Sequence, residues 1–225
     1  MNKMRRNIFI LLFILCGNLV FAQCLEVGYV YQSYKMKGNR IVDISPVSTM
    51  PDYILTQVND VYPISSLLIG GFMPFKNWHI EQKSIGFTER MNLGYSSGRN
   101  TNSAGLKATY FYTFNLQSYL SFKSGVGSIT TQQYGKRRSG PTGWGFGIGF
   151  EYGSGVTDYY KDKMNYKYLL PSINVEFSLE IKDLGIIRFM FYKSLGKKTL
   201  KYKAYTGKIP TIGISDFGFG LAKVF

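Results

Sequence analysis

At 225 residues, 45% hydrophobic and 16% aromatic, the chain is long enough to bury a core and too apolar for a disordered tail, and its two cysteines exclude a disulfide scaffold. Charged residues make up 18% of it, below the roughly 25% of an ordinary soluble domain. Lys and Arg nonetheless outnumber Asp and Glu by 27 to 13, a formal charge of +14, which admits nucleic acid, an anionic membrane, or basic loops on a neutral body as its counterpart.

Residues 1–22 read as a secretory signal: Lys3, Arg5 and Arg6 form a basic start, Ile8 to Leu15 an apolar core, and Val20-Phe21-Ala22 a small-residue cleavage site. Gly17 and Asn18 break the apolar run short of the ~20 residues a membrane helix needs. Neither Cys16 nor Cys24 follows the small residue that a lipid-anchor signal requires. Cleavage leaves one domain over 23–225 with 24 bases against 13 acids, a net +11, and Cys24 as its one cysteine.

From there the chain alternates apolar and polar residues in segments about as long as a tilted membrane strand, ~9–11 residues. In chain order, strands are expected over 25–35, 85–96, 105–114, 118–130, 142–153, 169–181, 186–196 and 214–225. The sharpest is 142–153, where Trp144, Phe146, Ile148, Phe150 and Tyr152 oppose Gly143, Gly145, Gly147, Gly149 and Glu151. Glu89, between Phe87 and Met91, is the exception on the apolar faces: a bulge, a subunit contact, or a slipped register. Eight strands make 36–84 one long excursion. If Tyr62 to Phe75, apolar on both faces, is also a strand, ten are required, with tight turns near Lys76-Asn77, Asn115-Leu116-Gln117 and Asp183-Leu184-Gly185.

A soluble sandwich or barrel also alternates. Here, however, the polar faces are rich in Gly and Ser rather than Lys and Glu, and aromatics (Tyr29, Tyr31, Tyr95, Tyr110, Tyr112, Trp144, Tyr152, Phe225) gather toward strand ends, as membrane interfaces demand. The expected fold is therefore an all-β antiparallel transmembrane barrel of eight strands, with ten as the alternative and a soluble β-protein behind both.

The Phe-Ala-Gln junction at 21–23, the run Gly145-Phe-Gly-Ile-Gly-Phe-Glu-Tyr152 and the closing Phe217-Gly-Phe-Gly-Leu-Ala-Lys-Val-Phe225 resemble the small outer-membrane β-barrel proteins of Gram-negative bacteria, especially those of Bacteroidota. The resemblance implies Sec-dependent export to the outer membrane and contact with its lipid and lipopolysaccharide. It also implies that Phe217, Phe219, Leu221 and Phe225 form the signal read by the barrel-assembly machinery. Lys223 departs from that signal, which expects a hydrophobic residue there.

The inward faces carry Glu26, Glu151, Glu176, Glu180 and Asp216 against Arg90, Lys107, Lys123 and Arg188, so the interior nearly cancels itself. A three-residue turn at Asp183 to Gly185, with Gly185 left-handed, places Glu180 opposite Arg188 as a lumen ion pair, and Glu176 opposite Tyr192. The excess charge then belongs to loops. Lys136, Arg137 and Arg138 cluster in one, and Lys197, Lys198, Lys201, Lys203 and Lys208 in another, as contacts for an anionic surface or as solvated tips. Nucleic acid is not an expected partner.

A lone histidine, His79, and one mature cysteine supply neither a metal cluster nor a hydrolytic triad, and the Gly-x-Gly-x-Gly at 143–149 is a bare strand face rather than a phosphate loop. No cofactor and no metal are expected. The leading functional reading is a non-enzymatic outer-membrane protein with a side-chain-filled lumen, acting through its loops in envelope integrity, adhesion or ligand contact. A narrow channel comes second, a lipid-modifying enzyme using His79 third, and a soluble ligand-binding barrel fourth.

Overall fold

The computed structural model describes residues 24–43, 53–78, 82–96, 111–128, 140–159, 162–201 and 211–225. Alternation dictates strands, and strands are what these residues form: β1 Cys24–Asp43, β2 Tyr53–Trp78, β3 Lys83–Ser96, β4 Phe111–Gly125, β5 Thr142–Tyr159, β6 Asp162–Ile181, β7 Gly185–Ser194, β8 Lys198–Lys201 and β9 Thr211–Val224. Each pairs antiparallel with its neighbour, and β1 pairs with β9 to close the sheet. β7 and β8 lie one after the other along β9, opposite 217–224 and 211–214, so they form one stave interrupted at 195–197. The result is a closed eight-stranded barrel.

The expected number of strands is reached by a different division of the chain. Residues 36–84 are not one excursion, because β2 occupies much of that span and pairs with β1 from Cys24↔Phe72 to Asp43↔Tyr53. Conversely, Asn115-Leu116-Gln117 is no turn: it lies in the middle of β4, paired with Gly153, Tyr152 and Glu151. The residues after Gly125 leave the strand rather than extend it to 130. At Pro74/Lys76 the β2–β3 register shifts, a bulge that absorbs a proline with no N–H to donate.

The faces are reversed relative to a soluble barrel. Leu67, Phe146, Ile148, Phe150, Leu169 and Phe219 stand exposed on the outer wall, while Gln32, Arg90, Asn92, Asn115, Gln117 and Glu151 are buried in the lumen. Aromatic pairs mark both rims: Tyr95–Tyr112, ring centroids 5.0 Å apart, at one end, and Phe122–Trp144, 5.4 Å, at the other, where the described termini, Cys24 and Phe225, lie. At the end away from the termini, β1–β2 and β5–β6 stay paired out to Asp43↔Tyr53 and Tyr159↔Asp162. β1 spans 20 residues and β2 26, well beyond the ~9–11 needed for a crossing, so these hairpins carry the wall past the apolar belt.

Candidate functional site

Among the described residues, chemistry-bearing side chains converge in the lumen, which is divided into two layers. The lower layer, toward the termini, is built by β1, β3, β4, β6 and β7. Alternation turns Glu26, Arg90, Lys123, Glu176 and Arg188 inward, and each is almost fully buried. Arg90 bridges the two carboxylates, its Nε 2.9 Å from Glu26 Oε2 and its Nη2 2.5 Å from Glu176 Oε1. Lys123 does the same at 2.8 Å from Glu176 and 3.6 Å from Glu26. Arg188 donates to Glu26 Oε1 through Nη1, lies 3.3 Å from Glu176 through Nε, and donates to Ser178 Oγ at 3.0 Å. Three cations thus share two carboxylates, so every buried charge has an opposite charge within 3.6 Å, and the layer carries one positive charge in excess.

Bare neighbours make this possible. Gly145 leaves the space that the Lys123 stem and the Glu176 carboxylate occupy, and the Lys123 ammonium rests 4.4 Å above the Phe72 ring. Below, the chain leaving β4 turns back into the barrel mouth: Gly125 and Gly127 adopt φ of 77°, and Val126, Gly127 and Ser128 are buried. Ser128 donates to the carbonyls of Gly125 (2.6 Å) and Gln82 (3.0 Å), Ser84 donates to the Ser128 carbonyl (2.7 Å), and Arg188 Nη2 donates to the Gly127 carbonyl (2.6 Å). The turn is a stopper pinned to the charge cluster.

The upper layer is tyrosine-rich. Tyr168 donates to Glu151 Oε1 at 2.8 Å and lies 3.3 Å from the Tyr34 hydroxyl, which receives the Asn115 amide at 2.5 Å. Tyr166 stacks on Tyr168, their planes 9° apart. Asp216 is held through its backbone, its N–H donating to Ser194 Oγ at 2.9 Å.

The structure corrects the expected lumen pair. The hairpin loop is 182–184, closed by Ile181↔Gly185, with Asp183 and Gly185 both left-handed at φ of 70° and 83°. Gly185 takes the expected conformation, but the loop sits one residue earlier, so Arg188 faces Ser178, Glu180 faces Ile186 and Glu176 faces Met190. Glu180 is half-buried near the rim, and Arg188 takes Glu26 and Glu176 as its carboxylates instead. Of the other inward charges, Glu26, Glu151, Glu176, Asp216, Arg90, Lys123 and Arg188 do line the lumen; Lys107 lies outside the described residues.

Lys197 is exposed, Lys198 and Lys201 belong to β8, and Lys203 and Lys208 lie outside the described residues, between β8 and β9 in the sequence. Lys136, Arg137 and Arg138 also lie outside them, between β4 and β5 in the sequence. His79 is likewise outside. Phe217, Phe219, Leu221 and Phe225 all point outward, and the Lys223 ammonium sits 5.2 Å from the Phe225 ring. The sequence signals for the buried Gly125–Ser128 turn were its two closely spaced glycines and a serine, which continued alternation concealed.

Fold and site together define an eight-stranded, inside-out antiparallel barrel with a filled, charge-bearing lumen. No known family and no curated protein matches the chain. Among solved structures it is similar to Ail, the attachment invasion locus protein of Yersinia pestis (8% identity, TM-score 0.39, covering 89% of this chain and 98% of that one). It is also similar to Neisserial surface protein A (8% identity, TM-score 0.42, covering 89% and 97%).

Proposed function

We propose that the chain is a non-enzymatic integral protein of the bacterial outer membrane that acts through the loops at the end away from its termini. The observation that carries this reading is the reversal of the two faces. A wall of exposed Leu, Ile, Val and Phe around a buried set of Arg, Lys, Glu and Asn has no favourable arrangement in water and a natural one in lipid. The filled lumen leaves the loops as the working surface. Signal cleavage after Ala22 and Sec export deliver the chain, and outward Phe217, Phe219, Leu221 and Phe225 present the assembly signal.

Lys197, Lys198, Lys201, Lys203 and Lys208 then face outward from the cell and meet the phosphates of lipopolysaccharide or another anionic surface. Lys136, Arg137 and Arg138 take the periplasmic side. The test has two arms. The mature chain is expected to fold only with detergent or lipid and to show heat-modifiable gel mobility; folding as a soluble monomer in plain buffer overturns the membrane reading. A variant with the five lysines at 197–208 replaced by Gln is expected to lose salt-dependent binding to lipopolysaccharide while keeping heat-modifiable mobility. Unchanged binding overturns the loop assignment and leaves the fold reading standing.

A further inference from the structure

The lower carboxylates, Glu26 and Glu176, are surrounded by Arg90, Lys123 and Arg188. The upper two are not. Glu151 and Asp216 are buried against one another, and among the described residues no lysine or arginine forms an ion pair with either. Like charges placed together in a water-excluded site, without a counter-ion, are strongly unfavourable.

A second observation points to what balances them. Gln117 is 1% exposed and lies directly across β4–β5 from Glu151, whose carboxylate it approaches, yet neither its amide oxygen nor its amide nitrogen is in hydrogen-bond geometry with a partner. Asn115 Oδ1, the Tyr192 hydroxyl and Glu151 Oε2 are also buried without a hydrogen bond, and the Asp216 carboxylate, beside Glu151, Tyr168 and Ser194, has no donor in hydrogen-bond geometry. These are oxygens from four staves, aimed into one layer of the lumen. We propose that this layer is a binding site for a hard divalent cation of the calcium class, held between the Glu151 and Asp216 carboxylates and completed by neutral oxygens such as Gln117 Oε1 and Asn115 Oδ1.

The donor chemistry selects the ligand. An all-oxygen set without sulfur or imidazole favours Ca2+ or Mg2+ over zinc and copper. Among the described residues no three acidic, histidine or cysteine side chains come together as a metal cluster, so neutral oxygens must complete the shell. Ca2+ accepts six to eight oxygens in adaptable geometry, amide carbonyls included, whereas Mg2+ demands a tight octahedron and keeps its waters. A proton shared between the two carboxyls would satisfy one contact and leave the Gln117 and Asn115 oxygens bare. The cation would tie β4 and β5 to β9 across the lumen.

The test uses the mature chain folded in detergent micelles free of lipopolysaccharide. Thermal unfolding of the wild type is expected to shift upward progressively with Ca2+, and bound Tb3+ is expected to luminesce through the adjacent Tyr168 and Tyr192. The Glu151→Gln, Asp216→Asn variant is expected to lose both responses and, in chelator, to unfold no lower than the wild type does. Gln117→Met, which changes no charge, is expected to raise the Ca2+ concentration for half-saturation about tenfold, and it serves as the probe should the double variant not fold. A wild type indifferent to Ca2+ and dark with Tb3+ overturns the proposal. So does an undiminished response in either variant. Stabilisation of the wild type by acid alone, with no response to Ca2+, assigns the pair to a shared proton and overturns it as well.

Discussion

The Tyr192 ring covers Gly218 on the adjoining strand of the lumen wall so closely that a Cβ on residue 218 would fall within the ring. Tyr168 covers Gly153 in the same way across β5–β6. The glycines are thus the floor on which the lumen tyrosines lie, and the tyrosines restore the packing that the glycines lack. Gly218→Ala is expected to destabilise the barrel by about 1–3 kcal/mol through overpacking, measured by urea unfolding in micelles. In a Tyr192→Ala background the same substitution should cost much less. Equal costs in the two backgrounds would show that the ring does not rest there.

Among the described residues Glu26 pairs with all three cations of the lower layer, so its loss strands positive charge. Glu26→Ala is expected to cost about 3–5 kcal/mol, the penalty for leaving a buried partner uncompensated. Glu180→Ala, at the half-buried rim and across from Ile186, is expected to stay within about 1 kcal/mol of the wild type. A double-mutant cycle of Glu26 with Arg188 should show strong coupling and one of Glu180 with Arg188 little. The reverse order would restore the 180–188 pair.

Which parts of this were legible in the sequence follows from what each signal can mean. The Trp144 to Tyr152 alternation is legible as a strand, because large apolar residues opposite glycines suit a wall around a crowded lumen. Asn115-Leu116-Gln117 admits two, since the residue types that make turns in water are those that line a polar lumen. Leu116, 6% exposed, packs between its neighbours on the outer wall. β2 is ambiguous for the opposite reason: Ile64, Leu68 and Phe72 are apolar residues that face inward, with Ser66 the polar residue among them, so the alternation of this stave is blurred. Glu26, Arg90, Lys123, Glu176 and Arg188 were identifiable as inward by parity. Their assembly into one cluster depends on strand order and register across five staves, which no local pattern encodes. The 180–188 pairing failed because one residue of loop placement moves every cross-strand partner by two.

The same filled layers predict electrical silence. The Val126–Ser128 stopper and the charge cluster close the lower lumen, and Tyr34, Tyr166 and Tyr168 crowd the upper. Wild-type protein inserted in planar bilayers is expected to give no steady single-channel conductance, with heat-modifiable protein in the bilayer confirming insertion. Stable, ohmic steps would mean that these side chains swing aside, and the channel reading would displace the loop reading.

Glu89 is a genuine outward carboxylate. The β3–β4 register runs without a shift from Lys83↔Ser124 to Ser96↔Phe111, which removes a bulge or slip as its cause. Ser118, directly opposite, donates to Glu89 Oε1 at 2.7 Å, so the pair forms a small polar island between Phe87 and Met91 on the apolar wall. A charge on the lipid-facing side is unfavourable to a degree that depends on depth, and less so for acids than for Lys or Arg. Replacing both members, Glu89→Leu with Ser118→Ala, is therefore expected to raise stability in lipid vesicles by about 1 kcal/mol for an isolated barrel. Glu89→Leu alone should gain less, because the Ser118 hydroxyl loses its acceptor. Loss of stability in the double variant, dependent on protein concentration in the membrane, would show that the island meets a second barrel rather than lipid.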